Sequence, residues 1–71
     1  GRSVYFAKAR GRGYQNIKAF TQAVDAWLEE NNIETKWDGE DTSTIAGVTT
    51  YTYYFRCYDE KDAVLVALRW A

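Results

Sequence analysis

The chain contains no histidine and only one cysteine, Cys57. Without histidine it lacks the side chain most used near neutral pH as a general base and metal ligand, and a single cysteine excludes both an internal disulfide and a multi-cysteine metal site. There is also no secretory leader pattern and no apolar run long enough to span a bilayer. Cys57 alternates with Phe55 on the presumed core face of a strand, where a thiol behaves as a small apolar group. No Lys or carboxylate is spaced to serve it as a base, so no catalytic residues, no cofactor and no enzymatic activity are expected. The acids Asp38, Glu40 and Asp41 miss the spacing of a calcium loop and read as a solvated hairpin tip. Together these absences predict a soluble, cytoplasmic, non-enzymatic protein.

What is present is aromatic. Seventy-one residues carry three Trp, six Tyr and three Phe. A chain this short buries only about 60% of the surface it exposes when unfolded. Each aromatic can bury roughly 150–250 Å², which makes one compact domain over 1–71 credible. Gly1-Arg2-Ser3 opens the chain without an initiator Met and reads as a remnant that carries no functional expectation. The formal charge of −1 hides an asymmetry: residues 1–18 hold five bases and no acid, while residues 19–71 hold four bases and ten acids. Such polarity suits an anionic partner, self-association or solubility alone.

The surest element runs over 49–58, where Thr, Tyr, Phe and Cys fill almost every position and penalise a helix through lost χ1 freedom. Large side chains on both faces predict a central strand. Asp59 then offers a helix cap, with Glu60 and Asp62 at the positive end of the dipole of a helix reaching Trp70. Upstream, Val4–Ala9 reads as a strand of undecided facing. Arg10-Gly11-Arg12-Gly13 reads as a flexible basic turn. Ile17, Phe20, Val24, Trp27 and Leu28 recur at helical spacing, and Asn31-Asn32 ends that helix. Ile33–Asp38 alternates as a strand with Ile33, Thr35 and Trp37 facing in, and residues 38–44 read as a long, mobile hairpin connection.

This order, β-α-β-β-α, defines an α+β domain. It predicts a three-stranded antiparallel or mixed sheet ordered 1-3-2, with the aromatic strand central and both helices on one face. Such a sheet is a ferredoxin-like split βαβ lacking the fourth strand, and its first strand is left with an open edge.

Two surfaces emerge as candidate sites. In the last helix, Val64, Leu65, Ala67 and Leu68 suffice for a core stripe. Ala63, Val66 and Trp70 form a second stripe which, together with Tyr5 and the open strand edge, predicts a protein interface and a homodimer. Tyr5, Tyr54, Arg56 and Tyr58 could instead share the sheet face away from the helices, an arrangement that resembles the RNA-recognition motif, whose two adjacent strands stack bases on aromatics. The glycine-bearing basic start of that family's third-strand motif is absent, and Glu34 and Asp38 would share the face. On this alternative, Arg10, Arg12 and Lys18 would supply phosphate contacts to a single-stranded nucleic acid. The turn before the first helix could also cradle an anion, but it lacks the spacing of known phosphate loops.

The run from Tyr53 to Trp70, an aromatic strand passing through an acidic cap into Asp62-Ala63 and then Ala67-Leu68-Arg69-Trp70, resembles the ends of small uncharacterised proteins of tailed bacteriophages. The resemblance covers about a quarter of the chain. It implies a viral protein made in a bacterial cytoplasm that binds a host or viral macromolecule, and it brings no catalytic residues. The leading expectation is therefore a self-associating protein-interaction module, with single-strand binding as the alternative.

Overall fold

The computed structural model describes residues 1–71. Five elements follow in the expected order: β1 (Tyr5–Gly11), α1 (Ile17–Glu30), β2 (Thr35–Ile45), β3 (Val48–Cys57) and α2 (Glu60–Trp70). The sheet is ordered β1-β3-β2, and β3 pairs antiparallel with both neighbours. No helix is long and apolar enough to cross a membrane.

Residue parity on β3 decides the architecture. Tyr51, Tyr53, Phe55 and Cys57 are buried and join Phe20, Val24 and Leu28 of α1 and Val66 and Trp70 of α2 in one core. Both helices therefore cover the odd-numbered face of β3, and the even-numbered face carries none. On β1 the covered positions are Tyr5, Ala7, Ala9 and Gly11, aligned with Cys57, Phe55, Tyr53 and Tyr51. The small size of Ala7, Ala9 and Gly11 lets helix side chains come close. At Gly11 an added Cβ would lie 2.5 Å from Phe20 Cε1, and Phe20 is fully buried. Gly11 is thus required by packing in β1, in contrast to the flexible turn expected; Gly13, at φ +81°, is where the chain turns. Gly11→Ala is expected to cost about 1–3 kcal/mol through overpacking, read as a lower urea midpoint at unchanged m-value.

The first helix begins and ends as its sequence demands. Asn16 accepts a 2.8 Å bond from the Ala19 N–H as N-cap. At the other end Asn32 takes φ 54°, and the N–H groups of Asn32 and Ile33 donate to the carbonyls of Glu29 and Leu28. This is a Schellman closure, completed by the buried Leu28 and Ile33 side chains. Trp27 is only half-buried at the margin of the core, its ring edge-on to Trp70 at 6.2 Å.

Two expectations need correction. Residues 38–44 are strand: β2 continues to Ile45, and Ala46-Gly47, with φ 51° and 78°, makes the two-residue turn into β3. Positive φ at both turn residues matches the twist of the strands they join. A bulge between Trp37 and Gly39 inserts Asp38 and shifts the register. Beyond it the strand is exposed on both faces because neither helix reaches that far, which explains its turn-like composition. Trp37 pairs with Phe55 on the helix-side face but remains 60% exposed for the same reason.

The second correction concerns α2. Val66 is fully buried and Trp70 is 6% exposed, while Val64, Leu65 and Leu68 are 52%, 37% and 79% exposed. The stripe assigned to a partner is the core stripe, and the stripe assigned to the core faces solvent. The indole decides the phase, since Trp70 packs edge-on to Phe20 at 5.9 Å as well as to Trp27. A helix sets its largest aromatic where it removes most apolar area from water.

Below the sheet, Tyr53 donates a 2.8 Å hydrogen bond to Asp25 Oδ1. Burial, that bond and the charges of Asp25 and Glu40 push its phenol pKa upward. Burial likewise raises the Cys57 thiol, with a smaller push from Asp62. A raised folded-state pKa means that the unfolded chain releases these protons first. Stability is therefore intact below the unfolded values, about 8.5 for Cys and 10 for Tyr, and falls as pH rises beyond them. The urea midpoint should decline above pH ~9–10, and Tyr53→Phe should flatten the tyrosine part of that decline.

Candidate nucleic-acid interface

Strand pairing arranges the helix-free face in cross-strand rows. One row is Phe6–Arg56–Lys36, the next Lys8–Tyr54–Gly39, and the next Arg10–Thr52–Asp41. Arg12, just beyond β1, extends the series by donating from Nε to Thr50 Oγ1 at 3.2 Å, and Thr50 pairs with Ser43. Neighbouring positions in a row are about 4.8 Å apart. Lys8 and Arg10 on β1 and Arg12 just past its end thus stand in a column, one side of a trough of about 610 Å³ lined also by Asp41, Thr52 and Tyr54.

Two aromatics lie open beside this column. Phe6 is 78% exposed and Tyr54 41%. They occupy adjacent strands one row apart and border the same shallow depression with Lys8. An exposed phenyl and an exposed phenol side by side offer flat apolar surface to a planar ligand, and the adjoining cations offer charge to whatever that ligand carries.

The acids expected to spoil this face are largely neutralised. Asp38 Oδ1 lies 2.9 Å from Arg56 Nε, at an angle outside hydrogen-bond geometry, so the contact is an ion pair at the bulge. Glu34 is gripped by both terminal nitrogens of Arg2 at 3.2 Å, and those hydrogen bonds hold its carboxyl below the usual range. Both partners of that pair are exposed, so it shapes the local charge more than the stability. Lys8, Arg10, Arg12 and Lys36 have no acidic partner. By parity this side of the sheet holds six bases against three acids, and the helix side three bases against seven acids. The sequence asymmetry becomes a difference between two faces.

Of the residues expected to contact nucleic acid, the fold brings together Arg10, Arg12 and Tyr54. Arg56 shares the face but is committed to Asp38. Tyr58 is covered by the Arg2 guanidinium, 3.9 Å from the ring centroid. Lys18 lies on α1, across the sheet from the trough. Of the expected protein-contact residues, Val66 and Trp70 are buried, Ala63 packs against the core, and Tyr5 is half-buried on the helix side. Phe6 and Lys8 were missed. The signal for them was the run of small residues at 7, 9 and 11, which marks the odd positions of β1 as the face beneath the helices and turns Phe6 and Lys8 outward.

Compared with models of known protein families, with curated proteins and with solved structures, the chain matches none of them.

Proposed function

We propose that this chain is a non-enzymatic module that binds single-stranded nucleic acid across the helix-free face of its sheet. The observation that carries the reading is the juxtaposition of exposed Phe6 and Tyr54 with the unpaired column Lys8, Arg10 and Arg12. Every base has a π-face, so two neighbouring aromatics accept stacked bases with little regard to sequence. Cations about 7 Å apart along a strand match the spacing of a backbone that follows the stack. A duplex hides its base faces, and only an unpaired strand can use both features. Under the resemblance of residues 53–70 to phage proteins, the ligand would be a host or viral strand.

The test is fluorescence anisotropy of a labelled oligothymidylate titrated with protein at several salt concentrations. Three neutralised phosphates predict a log–log slope of about −2, at roughly −0.7 per contact. No binding at low salt, or binding indifferent to salt, would contradict the proposal.

Self-association is a second reading, and one specific feature favours it. The outer edge of β1 has no strand partner, and α2, which packs on β1, exposes Val64, Leu65 and Leu68. Unpaired edges and apolar helix flanks both invite a second copy. Light scattering distinguishes the two, because a mass that doubles with concentration and is restored to monomer by Leu68→Glu would assign this surface to dimer formation.

A further inference from the structure

Asp41 is the one acid of the trough, and it stands apart from both ion pairs of the molecule. Its carboxylate lies in the row of Arg10 and one row from Tyr54. A lone carboxylate on a face that holds phosphates costs affinity unless it accepts hydrogen bonds from another part of the ligand. Beside Tyr54 the row ends at Gly39, where an added Cβ would meet nothing within 4 Å. Gly39 adopts φ +142°, a conformation the bulge imposes and side chains rarely take. The surface next to the Tyr54 ring is therefore bare. A base laid on that ring has room to extend over Gly39, and its edge then reaches the neighbouring row, where Asp41 waits.

We infer that Asp41 makes the Tyr54 position selective for guanine. This rests on the reading of the trough as a single-strand site. A carboxylate has only acceptors. Guanine presents N1–H and N2–H₂ side by side, two donors for its two oxygens. Adenine and cytosine each offer one amino group, and thymine or uracil flanks its single N–H with two carbonyl oxygens that a carboxylate repels. The expected order is guanine first, adenine and cytosine between, thymine or uracil last.

The experiment compares a short labelled thymidine oligomer with the same oligomer carrying one central guanine, adenine or cytosine, on the wild-type chain, Asp41→Asn and Asp41→Ala. Both substitutions are at an exposed strand position, and circular dichroism checks that the fold is retained. One central guanine should tighten wild-type binding about tenfold, within the range of a bidentate base contact. In both variants the advantage should vanish while the all-thymidine oligomer binds as well or better, because a repulsive charge has gone. Equal wild-type affinity for all four oligomers, or a guanine preference that survives both substitutions, would overturn the inference and leave the single-strand site standing. Failure of every oligomer to bind at low salt would overturn both.

Discussion

Trp70→Ala is expected to cost about 3–5 kcal/mol, enough to unfold a large share of a domain this small at ambient temperature. The indole is 94% buried and is the joint between the helices, edge-on to Phe20 and Trp27 of α1. Its removal would leave a cavity that the short sheet cannot collapse to fill. Trp27→Ala, at a half-buried position, should cost about half as much. Trp70→Phe should cost clearly less than Trp70→Ala, because the phenyl ring refills most of the space and the Nε1–H it removes is buried without a hydrogen-bond partner. Urea denaturation of the three variants gives the ranking. A Trp70→Ala protein with wild-type stability and a changed oligomeric state would mean that the indole faces a partner and not the core.

The second large effect belongs to the ligand. Phe6→Ala combined with Tyr54→Ala is expected to weaken oligonucleotide binding at least about thirtyfold, from roughly 1–3 kcal/mol per stacked base. The salt slope should change little, because the phosphate contacts of Lys8, Arg10 and Arg12 are left in place. Replacing those three cations with Gln should act the other way, flattening the salt dependence by about 2 while the aromatics remain. Leu68→Ser, on the solvent side of α2 and 79% exposed, should leave both unchanged. Loss of binding in Leu68→Ser with full retention in the aromatic double variant would move the site to the helix.

The fold was legible in the sequence because its strongest signals are local: the β-branched and aromatic run of β3, the Asp59 cap, the apolar stripe of α1 and the Asn31-Asn32 stop each specify one structure. The far half of β2 was not legible. Its residues Gly39–Thr44 are strand only because they pair with Thr49–Tyr54, and nothing in a polar run exposed on both faces announces a partner. The phase of α2 was ambiguous for another reason. Both of its stripes satisfy helical spacing, and the choice between them is made by tertiary contact with Phe20 and Trp27, which spacing does not contain. The candidate site was half legible. Arg10, Arg12 and Tyr54 emerged from charge and aromatic content, but Phe6 and Lys8 depended on knowing which face of β1 the helices cover, and the neutralisation of Glu34 and Asp38 depended on side-chain pairing across the sheet.

The central claim is that the helix-free face of the sheet is the binding surface, and backbone amide shifts during an oligothymidylate titration test it most directly. The account predicts saturating changes at Phe6, Lys8, Arg10, Arg12, Thr52 and Tyr54, with α1 and the exposed flank of α2 unmoved. Changes confined to Val64, Leu65 and Leu68, or a spectrum indifferent to the oligonucleotide at low salt, would contradict it.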